Sequence, residues 1–327
     1  MLRLGIVGVG QFGQNHARIL SQSDKCQFMG LYDKDKKRAK EIGERLSCKI
    51  FPDFDSLLEA VDALLIVVTT ISHYDLAKRA LEAGIHVFIE KPITSDLWQA
   101  EELLELASAK NLNIQVGHIE RFNPLVLELE DKIKDPIFIE CHRIAPFTPR
   151  GSDVPVVLEL MIHDIDLILA FVKSKVKHIS ASGSSVMTKS IDIANARIEF
   201  ENGAVANVTA SRISLKRSRK LRFFQKDSYF SLDFQHKTGT YIKKSPKIAK
   251  LMPKILMGKY DGIETKDVVD ILEVDASDRK VDALTSELES FIHTAEAGLN
   301  PIVDGNAGTR ALKIALMIVN KINENKI

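Results

Sequence analysis

The sequence predicts an α/β chain of two domains. The first is a doubly wound parallel sheet; the second is an α+β domain with an open, mainly antiparallel sheet. Three observations carry this prediction. A short apolar strand runs into the glycine turn Gly8-Val9-Gly10-Gln11-Phe12-Gly13 and on into a helical segment, the setting in which such a turn cradles a dinucleotide in a Rossmann domain. Apolar runs then alternate with helical patterns as far as Gly117, as right-handed parallel βαβ units require. Beyond Lys177 the apolar period drops to two, and turns such as Glu201-Asn202-Gly203 interrupt short runs, as in antiparallel hairpins. The expected domains are 1–118 and 119–327, with the last helix able to pack back on the first.

Composition narrows the class. The formal net charge of +1 gives no reason to expect a nucleic-acid partner. Cys26, Cys48 and Cys141 are far apart, so neither a disulfide framework nor a cysteine zinc cluster is expected, and a reducing, cytoplasmic setting fits. No apolar run approaches the ~18 residues of a membrane span, and no charged leader precedes one.

In chain order, Leu4–Val7 is the first strand and Gln14–Leu20 the first helix. Gly8 permits the tight turn, Gly10 lets the backbone approach a pyrophosphate, and Gly13 lets helix and sheet pack closely; Gln11 and Phe12 complete the loop. The second strand, Phe28–Asp33, ends in an acid about 20 residues after the last glycine, placed to accept hydrogen bonds from a ribose. A carboxylate there repels a ribose phosphate and favours NAD over NADP, although Arg38 lies nearby. Helices follow at Ala39–Leu46 and Leu57–Ala60. Ala63–Val68 is a strand buried on both faces, ending in Thr69, Thr70 and His73 at the cofactor edge. Tyr74–Ala83 is helical and closed by Gly84.

The next strand ends abruptly at Glu90-Lys91-Pro92, because proline cannot continue a ladder. Ligands of open α/β sheets collect beyond the carboxyl ends of strands, so Lys91 sits at a crevice. A partly desolvated lysine there can have its pKa lowered toward ~7–8, useful for proton transfer. Asp96–Lys110 and Asn113–Gly117 complete the first domain.

The segment 118–124 crosses to the second domain, followed by helix Leu125–Lys134 and a strand near 136–143. Val156–Val172 is the decisive helix: Glu159, His163, Asp166 and Ala170 share one stripe while apolar residues cover the rest, so the stripe faces a cavity or internal partners. Glu159, His163 and Asp166 could hold a metal, but nothing else in the chain supplies a metal-binding pattern, and no metal is expected. Runs at 194–200, 205–210, 220–224 and 228–234 form the hairpin sheet. The basic run Lys216–Arg222 reads as solvated surface or, more sharply, as a phosphate clamp. Residues 243–259 form a basic amphipathic insertion covering the site or a subunit contact. Thr285–Ala297 and Gly308–Ile322 are closing helices.

The glycine loop, Glu90-Lys91-Pro92, Arg121-Phe122-Asn123 and His163-Asp164-Ile165-Asp166, in this order and spacing, resemble the Gfo/Idh/MocA oxidoreductases over nearly the whole chain. The resemblance implies an N-terminal NAD(P)-binding domain and a C-terminal domain that binds a sugar or sugar derivative. It also implies a homo-oligomer, dimer or tetramer, through the C-terminal sheet. The family's catalytic lysine falls on Lys91 and its catalytic histidine on His163. Glu159 stands where the family usually has aspartate, and Thr70 where a proline is frequent. Within the family, residues 116–124 and 161–166 look most like members that oxidise the 3-hydroxyl of UDP-N-acetylglucosamine.

The expected chemistry is hydride transfer from a sugar carbon to NAD. One of Lys91 and His163 removes the hydroxyl proton while the other hydrogen-bonds the developing carbonyl oxygen. The sequence leaves the order open; His163 is the favoured base with Lys91 as polarising partner, and Glu159 or Asp166 orients the imidazole. Glu90 belongs with the cofactor edge, and Glu120, Arg121, Asn123, Arg143 and Arg150 are substrate contacts, arginine because its fork suits phosphate. Two alternatives stand beside this: a dehydrogenase or reductase of free sugars or inositols, and a dinucleotide-sensing regulator without chemistry.

Overall fold

A computed structural model of the protein describes every residue except 149–150, 152–153, 260, 280–281 and 325–327. The chain forms two compact units, Met1–Phe122 with Val281–Ile314 and Asn123–Lys280 with Ala315–Ile327. The first is built on parallel strands β1 (Arg3–Val7), β2 (Gln27–Tyr32), β3 (Ala63–Ile66), β4 (His86–Glu90) and β5 (Ile114–Gly117), ordered β2-β1-β3-β4-β5. Leu64, Leu65, Ile66, Val87, Phe88 and Ile89 are wholly buried, as continuous apolar strands covered on both faces should be. Ile50 adds a parallel bridge to Leu31, a vestige of the third strand in the usual dinucleotide-binding order.

Helices α1 (Gly13–Gln22), α2 (Lys36–Leu46), α3 (Phe54–Leu58), α4 (His73–Glu82) and α5 (Leu97–Lys110) connect these strands. Their ends are specified locally. The Asp35 carboxylate accepts the N–H groups of Lys37 and Arg38 at the start of α2, and Asp96 with Gln99 forms a capping box on α5. Gly84, at φ +81°, follows the last turn of α4, as the sequence predicts.

The second unit opens with α6 (Pro124–Leu129). Its sheet comprises β6 (Phe138–Ile144), β7 (Val176–Ser184), β8 (Ile193–Phe200), β9 (Val205–Ser211), β10 (Ser218–Phe224), β11 (Ser228–Asp233), β12 (Thr238–Lys244) and β13 (Val269–Asp275). The order is β13-β12-β11-β10-β6-β9-β8-β7. Neighbours are antiparallel except β6 and β9, which run parallel. One face is buried, with Ala194, Ala196, Ile198 and Phe200 alternating with outward residues along β8. A π-helical turn at Val157–Met161 leads into α7 (Ile162–Phe171), and Phe171 meets Phe223 edge-on at 5.2 Å.

The expected uninterrupted α-helix over 156–172 is thus corrected. The wider π turn rotates Glu159 away from the simple stripe it would share with His163. The insertion after β12 contains α8 (Ile248–Leu256) and α9 (Thr265–Val268). On the outward face of the sheet Lys220 lies 3.7 Å from Asp233 and Arg222 3.3 Å from Glu140. Those two cations of the basic run have acidic neighbours, which favours the solvated reading over a phosphate clamp.

Two helices close the chain, α10 (Ala283–Ala297) and α11 (Gly305–Glu324). Leu288, Phe291, Ile292 and Ala295 of α10 join the core formed by Leu4, Ile6, Leu20 and Phe88, and Phe291 meets Phe88 edge-on at 5.8 Å. Residues 119–122 and 281–314 therefore belong to the first unit, although their place in the sequence suggests the second domain. Among the described residues no helix is long and apolar enough to cross a membrane.

Candidate active site

The first unit gathers its functional groups at the carboxyl edge of the parallel sheet, beside the switch point between β1 and β3. Gly8 has φ +89°, and a Cβ there would lie 2.3 Å from the Val67 carbonyl oxygen. A Cβ on Gly13 would lie 2.0 Å from the Gly8 oxygen, so helix α1 can start where it does only without a side chain. Nothing lies within 4 Å of the position a Gly10 Cβ would take. The loop thus leaves a bare backbone cradle, and its residues fit a pyrophosphate held at a helix N-terminus. Phe12 is largely exposed. Gly13→Ala is expected to cost about 1–3 kcal/mol through forced overpacking and to weaken NAD binding; thermal melts with and without NAD would read both.

Asp33, just past β2, fixes this loop. Its Oδ2 accepts the Val9 N–H at 2.8 Å and its Oδ1 the Asp35 N–H at 2.9 Å. Each oxygen retains a further lone pair for a ribose hydroxyl. Arg38 lies half-buried in the first turn of α2. After β3, Thr69 is extended at the N-cap of a 3-10 turn that begins at Thr70.

His73 is placed differently from the expected cofactor contact. Its Nδ1 lies 2.9 Å from the Pro92 oxygen and its Nε2 3.2 Å from the Val68 oxygen. Burial holds its pKa below the usual histidine value, against the pull of these carbonyls. An uncharged ring donates to one of them at a time. His73 thus ties the loop after β3 to the loop after β4.

Lys91 is half-buried at the end of β4, before a cis peptide to Pro92. Glu90 Oε2 accepts the Lys91 backbone N–H at 3.1 Å, and Oε1 lies 3.2 Å from Nε2 of His16 on α1. Burial pushes the Glu90 pKa up, but His16 and Lys91 outweigh it and bring the carboxyl below its ordinary value. Beyond β5, Glu120 is buried in the 3-10 turn Ile119–Phe122, and an Arg121 Nη lies 3.5 Å from the Ile302 oxygen.

In the second unit His163 is half-exposed in the first turn of α7, between buried Ile162 and Asp164; Asp166 is also buried. Asp164 takes a two-pronged hydrogen bond from Arg143, 2.9 Å from Nε and 2.7 Å from Nη2. Arg143, expected to meet substrate, thus commits its fork to an internal carboxylate. The Asn123 side chain accepts the Leu125 N–H at 3.1 Å, capping α6. Arg150 lies outside the described residues.

Glu159 Oε2 accepts from Arg212 at 3.0 Å. Arg212 also donates to Asp192 Oδ1 (2.8 Å) and to the carbonyls of Gly151 (2.6 Å) and Val154 (2.7 Å). It therefore anchors the segment preceding α7 to the end of β9. Burial raises the Asp192 pKa, but Arg212 and the N–H and hydroxyl groups around Thr188 prevail and hold it well below the carboxylate range.

Sequence reasoning missed His16, Asp164, Asp192 and Arg212 in these roles. Asp192 and Arg212 had one available signal, a lone charge at the end of an otherwise alternating strand segment. Among the described residues no group of three or more His, Cys, Asp or Glu side chains could hold a metal ion.

Residues 2–118 match the oxidoreductase family with an NAD-binding Rossmann fold, and residues 147–227 match the GFO/IDH/MocA C-terminal domain. A UDP-N-acetylglucosamine 3-dehydrogenase from Acidithiobacillus ferrooxidans is 34% identical over 318 residues, 97% of this chain and 96% of that protein. A solved structure of that enzyme superposes with a TM-score of 0.88, covering 99% of this chain and 98% of the other. A myo-inositol 2-dehydrogenase from Thermotoga maritima is 23% identical over 99% of this chain and 97% of its own. With both of its parts matched and a 34% identical relative spanning almost its full length, the chain belongs to the Gfo/Idh/MocA family of oxidoreductases.

Proposed function

We propose that the protein oxidises a ring hydroxyl of a nucleotide-linked sugar, the 3-hydroxyl of UDP-N-acetylglucosamine or a close analogue, with NAD as hydride acceptor. The observation that carries the reading is the 34% identity to a UDP-N-acetylglucosamine 3-dehydrogenase across 97% of the chain. The coarser activity, NAD(P)-dependent oxidoreduction at a CH–OH group, goes with the family.

The loop Gly8–Gly13 holds the pyrophosphate and Asp33 the adenosine ribose, where its charge disfavours a ribose phosphate. A bound nicotinamide supplies the hydride acceptor. His163 takes the proton of the sugar hydroxyl, while the Lys91 ammonium stabilises the oxygen as it becomes a carbonyl. The carbon-bound hydrogen leaves with its electron pair, so one hydride and one proton depart for each ketone formed. Glu120 and Arg121 are proposed substrate contacts. The outward face of the eight-stranded sheet is the proposed contact surface of a dimer or tetramer. No step requires a metal.

A thermal-shift panel tests the assignment. NAD should stabilise more than NADP, and UDP and UDP-N-acetylglucosamine more than free sugars. Stabilisation by myo-inositol but not by UDP would replace this reading with polyol oxidation, the alternative favoured by the 23% identical inositol dehydrogenase.

A further inference from the structure

We infer that His16 is a positioning and charge-tuning residue for Lys91, acting through Glu90 and linking the dinucleotide loop to the amine that stabilises the reacting oxygen. The inference rests on the proposed role of the Lys91 ammonium at the reacting oxygen, and it concerns a residue to which that proposal gives no part. His16 is 2% exposed, on the second turn of α1. Its Nδ1 lies 3.1 Å from the Phe12 carbonyl oxygen. A carbonyl only accepts, so Nδ1 carries hydrogen in that contact.

The other ring nitrogen, Nε2, then faces Glu90 Oε1 at 3.2 Å. Protonated at that nitrogen as well, the ring would form a buried ion pair with the carboxylate. The second oxygen of Glu90 is fixed by the Lys91 N–H at 3.1 Å. A continuous chain therefore runs from the Phe12 carbonyl through His16 and Glu90 to Lys91. The ring of His16 packs 5.9 Å from Phe88, which limits its freedom to turn away.

The electrostatic consequence has a definite sign. A carboxylate beside Lys91 favours the ammonium form, and a proton held on the far side of that carboxylate offsets part of its charge. The other titratable groups near Glu90 are His73 on α4, on which the Glu90 charge acts, and His118, which follows Gly117, the β5 residue paired with Glu90. Burial keeps His73 toward its neutral form, and His16 is the ring whose nitrogen lies 3.2 Å from the carboxylate.

The test reads the Lys91 amine itself. The full-length protein is labelled with a limiting amine-acylating reagent across pH, and the Lys91 peptide is quantified by mass spectrometry. Glu90→Gln should move the Lys91 midpoint down by roughly one unit, and His16→Leu should move it up, because an uncompensated carboxylate remains. His16→Gln, which keeps a hydrogen-bonding side chain without the charge, should behave like His16→Leu. The double variant should match Glu90→Gln alone. An unmoved midpoint, shifts of the same sign in both single variants, or restoration by His16→Gln would each overturn the inference. Melting curves identify any variant that has failed to fold, and His16→Gln stands in if His16→Leu does. Should Lys91→Ala retain full turnover while these shifts appear, the functional proposal fails and the charge coupling stands.

Discussion

Lys91→Ala and His163→Ala should each lower turnover by about 10²-fold or more, the ordinary range for a lost proton-transfer group, equivalent to at least ~2.7 kcal/mol of barrier. Cofactor binding should survive in both variants. The pyrophosphate cradle depends on backbone and on glycine, and its rigidity comes from the Asp33–Val9 hydrogen bond at 2.8 Å. Neither needs Lys91 or His163. Steady-state rates with NAD and UDP-N-acetylglucosamine, beside an NAD titration by fluorescence, separate the two effects. Lys91→Arg is informative as well: it retains positive charge with a different shape, so partial recovery would assign Lys91 an electrostatic role and leave proton removal to His163. Near-normal turnover in both alanine variants would remove the assignment.

The parts of this site visible in the sequence are those specified over a few consecutive residues. The strand before Gly8, the glycine spacing, the acid at Asp33 and the stop at Pro92 each follow from local backbone chemistry, and the five-stranded sheet followed from them. What escaped depends on pairing across long separations. His16 and Glu90 meet only because the start of α1 comes within reach of the end of β4. Arg143 finds Asp164, and Arg212 finds Asp192, through a sheet register that alternation alone does not specify.

The parallel pairing of β6 with β9 is invisible for the same reason, since each strand alone has an ordinary period of two. Strand β13 escaped notice because Val274 is its only buried residue, while Ile271 and Leu272 are exposed, so the edge strand lacks a clean apolar face. Helix α10 follows the second sheet in sequence, yet its Phe291 packs against Phe88 of the first. The π turn before α7 adds width that a wheel drawn at 3.6 residues per turn cannot anticipate.

Arg212→Ala should be the most destabilising change in the second unit, by about 3–5 kcal/mol, because it strands the wholly buried Asp192 without its counter-ion. It also releases the carbonyls of Gly151 and Val154 and the carboxylate of Glu159 together, so the segment entering α7 loses its anchor. His163 lies one turn further on. The variant should therefore lose turnover beyond its loss of stability, measured below its own melting point.

Asp192→Asn gives the complementary pH signature. A carboxyl held below its ordinary value stabilises the fold fully above the unfolded aspartate pKa of about 4, and that contribution disappears as pH falls through the depressed folded value. The stability gap between wild type and Asp192→Asn in urea titrations should be constant from pH 5 to 7 and narrow below pH 4. A gap independent of pH down to 2 would mean that packing, rather than the buried charge pair, holds this segment to β9.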